Sequence, residues 1–373
     1  MSPEGLEGMA QRMASKATQE MFACHRGRID HIRHPRPGNK DTVIRGWACA
    51  DQGDEPLTVE LVVGDIVLRR QRAALTRHDL PPSHPGHAHG FRFQIGGALA
   101  KMLPAGSEVG VRVSGLPHLL PPGEGVEPAL QRARGDDNGD GLREMLKGGW
   151  MVNQWGHLKQ PFGSKPELKQ IYVDLYDRWR SILHGTAGVD LYLIAGNLLG
   201  LVREGGFLPH DDDIDAAFCV RAATPEQAAD RFYALFDRIS PIVREAGFGV
   251  TLRQTGQFHV IDGDGHKLSI FMSWLTPDGH YYRRIAKGGH LGFTEMALSE
   301  KDYLGRKVLI PEQAERKLDL VYGPNWRTPD LGYVSHPSPE TERVIRRLGL
   351  AGKERLAERL KKKAKTRQVE ETR

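Results

Sequence analysis

Residues Tyr192 to Phe218 read YLIAGNLLGLVREGGFLPHDDDIDAAF, and this stretch decides the fold. A short buried strand meets a small turn at Gly196-Asn197, which opens an apolar helix. Four aspartates then fall in five positions: Asp211, Asp212, Asp213 and Asp215. In a strand, alternate side chains share a face, so Asp211, Asp213 and Asp215 would point one way and Asp212 and Ile214 the other. Three adjacent carboxylates repel and raise one another's pKa. A hard divalent cation relieves that repulsion, and Mg²⁺ prefers oxygen ligands. Taken alone, DDDID also fits a solvated acidic loop after Pro209-His210. The upstream turn argues for more. A Gly-Asn turn at a helix N-terminus offers unsatisfied N–H groups and the positive dipole end to an anion. Arg203, one or two turns later, is suited to grip a phosphate through two N–H groups. A phosphate cradle beside a carboxylate strand makes up a metal-assisted phosphoryl-transfer site.

The rest of the chain is consistent with a multi-domain setting. Its 373 residues suffice for two or three cores, and the composition, 39% apolar and 27% charged, is that of a soluble globular protein. No apolar run is long enough for a membrane span, and the N-terminus lacks the apolar core of a secretory signal. Cys24, Cys49 and Cys219 are scattered and form no CxxC, which points to a reducing cytoplasmic setting. Residues 353–373 hold nine Lys or Arg against four Glu, a surplus that equals the whole formal charge of +5. The remainder is close to neutral, which disfavours nucleic acid as a partner.

The texture changes along the chain. Residues 1–23 suit a short helical segment. From 24 to 116, short alternating runs such as TVIRGWACA and GFRFQIG, separated by Gly, Pro and Asp, predict an all-β sandwich domain with a hairpin at Gly64-Asp65. The Pro-, Gly- and charge-rich stretch 117–148 reads as a linker. From 149 to 340 the pattern is mixed α/β. Ser164, with Pro166 and Glu167, predicts a capping box before a helix that runs to Gly185 or Gly188. Thr224-Pro225 predicts a second helix start, with Pro241 kinking or dividing that helix. Residues 341–373 read as a basic amphipathic tail suited to an anionic membrane surface.

The stretch resembles the LicD/fukutin family of nucleotidyltransferase-fold phosphotransferases, whose hallmark is a Gly-Thr-Leu-Leu-Gly-like turn, an Arg and a (W/H)D-x-D-x-D strand. Here these read GNLLGLVREGGFLPHDDDID, and VLIPEQAERKLDLVYGPNWRTP continues the likeness downstream. The likeness covers about half the chain. The preceding β domain is similar, more weakly, to modules attached to bacterial surface-glycan transferases. The resemblance implies an α/β nucleotidyltransferase-like catalytic domain preceded by the β-sandwich. It implies Asp213 and Asp215 as metal ligands assisted by Asp211, and Gly196, Asn197, Arg203 and His210 as substrate-binding residues. It further implies Mg²⁺ or Mn²⁺ as cofactor and a CDP-activated donor such as CDP-choline or a CDP-polyol. The acceptor would be a capsule or lipopolysaccharide glycan, lipid-linked at the inner face of the membrane, and CMP would be released.

Two positions depart from the family pattern. Asn197 stands where Thr or Ser is usual. Ser269, in KLSIF, stands where a further Asp is often found, which leaves the general base unassigned among His259, Asp262, Asp264 and His266. Two other readings stay open: a glycosyltransferase using the aspartates as a DxD site for a nucleotide-sugar, and a degenerate scaffold that only binds glycan. Further signals have plainer explanations. DDNGDG, from Asp136, lacks the Glu that a calcium loop needs at its end and reads as polar linker. His78, His84, His87 and His89 read as a loop of the β domain. Trp274, Tyr281, Tyr282 and Trp326 suit core positions better than a choline cage.

Overall fold

A computed structural model describes residues 25–37, 40–50, 55–77, 79–80, 88–130, 139–284, 286, 288–292, 296–329 and 337–370. The expected helical segment 1–23 lies outside the described residues, as do Cys24, His78, His84 and His87. The chain forms two compact units that divide between Gln160 and Pro161.

In the first unit, β1 (His25–Arg33), β2 (Thr42–Ala50), β3 (Thr58–Val63), β4 (Ile66–Arg72), β5 (Leu75–Thr76), β6 (Ala88–Ile95) and β7 (Val109–Val113) form two antiparallel sheets. Their orders are β1-β2-β6-β5 and β4-β3-β7. Alternation sends Ile44, Leu61, Phe91, Phe93 and Val111 from both sheets into one hydrophobic cluster. The hairpin between β3 and β4 turns at Gly64, whose φ of +58° suits a residue without a Cβ. A short helix, α1 (Gly97–Ala100), precedes β7.

The stretch expected as a linker joins this unit instead. Leu116, Leu120 and Leu130 are buried in its core, and the Leu120 N–H donates to the Val111 carbonyl at 2.7 Å. Helix α2 (Asp140–Lys147) buries Leu142 there, and the pair β8 (Met151–Val152) and β9 (Leu158–Lys159) buries Val152. Residues 149–160, expected in the catalytic domain, are therefore part of the first unit. Pro and Gly set the path of this segment, but its spaced leucines decide where it packs.

The second unit opens with α3 (Glu167–Ala187). The expected capping box is not made: Pro166 caps α3 with no side-chain bond, and the Ser164 hydroxyl donates to the Pro161 carbonyl. Next come β10 (Tyr192–Leu193), α4 (Ala195–Arg203), β11 (Ile214–Arg221) and α5 (Pro225–Glu245). Thr224 caps α5, accepting from the Gln227 N–H at 3.3 Å, and α5 runs through Pro241 without a break. The strands β12 (Gly249–Gln254), β13 (Gln257–Ile261), β14 (Lys267–Leu275), β15 (His280–Arg283) and β16 (Gly289–His290) follow. They complete a sheet of order β10-β11-β14-β13-β12, with β15 paired to β14 and β16 to β15. The pair β11–β14 is parallel, so Asp215 stands opposite Ser269. The hairpin of β17 (Leu298–Tyr303) and β18 (Arg306–Pro311) leads to α6 (Ala314–Tyr322) and α7 (Pro339–Glu370).

The two faces of the sheet differ. Ile214, Ala216, Leu268 and Ile270 join the main core with Tyr172, Trp179 and Phe232. Ala217 and Phe271 face the other way, into a smaller cluster with Tyr192 and Ile194. The expected basic amphipathic tail is partly built into this unit. Leu348 and Ala351 of α7 are buried in the main core, and Arg347, Arg355 and Arg359 pair with Glu226, Asp230 and Asp237 of α5. No helix among the described residues is long and apolar enough to cross a membrane.

Candidate active site

The chain leaves β10 through Ile194 in extended conformation and turns into α4 at Ala195, whose φ is +51°. A left-handed backbone at a residue with a Cβ costs about 1–2 kcal/mol. The turn places the backbone of Gly196 against a carboxylate. A Cβ on Gly196 would lie 2.8 Å from Asp211 Oδ1, closer than any side chain tolerates. Glycine lets the Asp211 carboxylate approach this closely, and its own backbone conformation is ordinary.

Asp211 reaches this place by a turn rather than by strand alternation. β11 begins only at Ile214; the Asp211 N–H donates to the Leu208 carbonyl, and the Asp211 carbonyl accepts from the Phe162 N–H at 2.8 Å. Asp211 Oδ2 is buried and has no hydrogen-bond partner. Asp213 and Asp215 do obey alternation, with Lys267 and Ser269 beside them on β14. The Lys267 ammonium lies 3.5 Å from Asp213 Oδ2, and Ser269 is 4% exposed.

Asn197 does not point at a ligand. Its Nδ2 donates to the Asp213 carbonyl at 3.1 Å, and its Oδ1 accepts from the Asp215 N–H at 2.7 Å. The side chain is 3% exposed and clamps the backbone of the acidic segment, so any phosphate contact at Asn197 would fall to its backbone N–H. Arg203 is engaged within the fold. It stands in the last turn of α4, where its Nε donates to Glu204 and its Nη1 to the Trp326 carbonyl at 3.0 Å. His210 lies on an exposed turn next to Asp211.

The proximity of the carboxylates raises their proton affinity. Burial, and then the charges of Asp213, Asp215 and Asp212, push the Asp211 carboxyl well above the usual carboxylate range. Burial and then Asp213 push Asp215 up to about 8, against the opposing pull of Arg283 and Lys267. An orphaned carboxylate oxygen and mutually repelling acids form a hard-oxygen donor set that fits Mg²⁺ or Mn²⁺.

The cross-strand row continues from Asp215 through Ser269 to His259 on β13. Of the four groups considered for the base, His259 stands in this row. Asp262 and His266 instead pair at 2.9 Å in the turn between β13 and β14, where Asp262 also accepts from the N–H groups of Asp264 and His266. Ligand atoms of Asp262, Asp264 and His266 lie within 4.8 Å of one another, but those bonds already account for the arrangement as a hairpin turn. Trp274, Tyr281, Tyr282 and Trp326 are all buried and provide no open aromatic cage. Sequence reasoning missed Lys267 and Arg283. Only the pairing of β14 with β11 and β15 brings them to the acids.

Residues 188–292 match the family model described as LicD/FKTN/FKRP, nucleotidyltransferase domain. The matched segment lies within the second unit. Every residue of the carboxylate site lies within the matched LicD/FKTN/FKRP span, from Gly196 to Arg283. Among solved structures, the chain is similar to a lincosamide antibiotic adenylyltransferase, LnuA, in a lincomycin-bound crystal structure. The identity is 16% and the TM-score 0.25, over 49% of this chain and 95% of that one. No curated protein matches the chain. The family is one of transferases, and the mixed α/β second unit is of the kind a nucleotidyltransferase domain has.

Proposed function

We propose that the protein is a metal-dependent phosphotransferase that moves a phospho-alcohol from a CDP-linked donor to a hydroxyl of a bacterial surface glycan. The observation that carries this reading is the packing of the Asp211 carboxylate against Gly196, which joins the acidic segment to the N-terminal turn of α4. Asp213 and Asp215, assisted by Asp211, would hold Mg²⁺ or Mn²⁺. When bound, the cation neutralises charge on the donor diphosphate and on the departing CMP. The first-turn N–H groups of α4 have no intrahelical acceptor and suit the donor's phosphate oxygens. The acceptor oxygen forms the new P–O bond as the bond to CMP breaks. Its proton goes to a base, and the row through Ser269 favours His259 for that role. Catalysis on this reading rests on positioning and charge neutralisation.

The first unit reads as a β-sandwich module that serves the glycan side of the reaction. The basic end of α7 suits an anionic membrane at the cytoplasmic inner face, where a lipid-linked acceptor is within reach. Incubation with CDP-choline, CDP-glycerol and CDP-ribitol, with Mg²⁺ or Mn²⁺ and a glycan acceptor, should release CMP from one donor. Asp213→Asn should abolish the release at unchanged far-UV circular dichroism. Full activity in that variant would refute the metal assignment. Ser269 is the observation that favours the rival, a scaffold without turnover. Such a scaffold would release no CMP from any donor.

A further inference from the structure

Arg283, at the end of β15, and its neighbour Arg284 each have a buried Nε with no hydrogen-bond partner, and Arg283 is the more buried of the two. It is 3% exposed. No ion pair within 4.0 Å forms between it and any described carboxylate. Two other buried cations each have at least one contact. Lys317, 2% exposed, sits 3.8 Å from the ring centre of Tyr281 and 3.3 Å from the Met296 sulfur. Arg69 donates to the Val152 carbonyl at 2.9 Å. A buried guanidinium whose Nε makes no hydrogen bond is unfavourable, so its retention asks for a compensating charge.

Register shows where that charge belongs. Arg283 pairs with Ser273 on β14, two residues beyond Phe271 and four beyond Ser269, on the face that carries Asp213 and Asp215. Its guanidinium carbon lies 6.0 Å from the centre of the Phe271 ring. Phe271 in turn packs with Ile194 and Ala195, where α4 begins. The cation is therefore placed over an apolar floor between the carboxylate strands and the helix start. Its field reaches Asp215, whose proton affinity it lowers. A planar fork in a desolvated site recognises the paired oxygens of a phosphate better than a lone carboxylate already committed to other work.

We infer that Arg283 is the anion-anchoring residue of this site, holding the diphosphate of the donor beside the carboxylate strands. The inference rests on the phosphotransferase reading above for the identity of the anion. It gives to Arg283 the role that the sequence suggested for Arg203.

Calorimetry of the full chain with magnesium pyrophosphate and, separately, with CDP tests it, using wild type, Arg283→Gln and Arg283→Lys. Loss of charge-assisted hydrogen bonds predicts about 10- to 100-fold weaker pyrophosphate binding in R283Q. R283K, which keeps the charge but lacks the fork, should recover part of that loss, and a purely structural arginine would not produce this graded response. Equal pyrophosphate affinity in wild type and folded R283Q overturns the inference, as does unfolding of both variants. Arginine-dependent pyrophosphate binding without CDP binding would sink the CDP-donor reading and leave the anchor standing. CDP binding indifferent to R283Q would do the reverse. Wild type that binds neither ligand removes both.

Discussion

Gly196 shows how one missing atom sets a site. A Cβ there would press on both Asp211 carboxylate oxygens, at 2.8 and 3.0 Å, and the carboxylate would have to move. Gly196→Ala should therefore weaken Mn²⁺ binding about tenfold or more, measured by calorimetry, with only a modest fall in Tm. Asn197 makes the complementary prediction. Asn197→Ala removes two bonds to the backbone of Asp213 and Asp215 and leaves buried groups unmatched, at about 1–3 kcal/mol. Chemical denaturation should register that loss. Asp215 governs a pH effect. Its folded pKa of about 8 exceeds the unfolded value of about 3.9, so the folded state binds the extra proton between these limits. Stability of the metal-free protein should then fall as pH rises from about 5 to about 8. Asp215→Asn should flatten that slope in a series of thermal melts, and added Mn²⁺ should oppose it by displacing the proton.

At the scale of elements, the parallel pairing of β11 with β14 is decisive. It sets Lys267 beside Asp213 and Ser269 beside Asp215, and the antiparallel β13 then sets His259 beside Ser269. If His259 takes the acceptor's proton, His259→Gln should lower kcat about 100-fold with little change in the KM for donor, a split that steady-state kinetics resolves. Helix α7 makes a different point. Its sequence suggested a basic amphipathic tail at a membrane surface, and Leu348 and Ala351, with Val344 and Ile345 packed nearby, turn its apolar stripe onto the core of this unit. Leu348→Ala should cost about 2–4 kcal/mol in a denaturant titration, a loss that a detached tail would not show.

At the scale of the molecule, each unit has its own hydrophobic core, one within residues 29–158 and the other within 162–351. A fragment of residues 161–373 should therefore unfold cooperatively and keep its affinity for Mn²⁺, as circular dichroism and calorimetry would show. Cutting the first unit at 116 should instead lower its Tm, because Leu120 and Leu130 fill its core.

The sequence by itself determined what depends on neighbours along the chain. The start of α5 at Thr224, the hairpin at Gly64-Asp65 and the partnership of Asp213 with Asp215 all follow from spacing of a few residues. Only the tertiary structure decided what depends on sheet register. Asp211 enters the site by a turn, and the Asn197 side chain braces the backbone of the acidic segment. Arg203 donates to the Trp326 carbonyl, while Arg283, 68 positions beyond Asp215, reaches the same sheet face and acts on that acid through its charge. Backbone periodicity carries information over one or two turns, whereas strand pairing joins residues whose separation in sequence leaves no local trace.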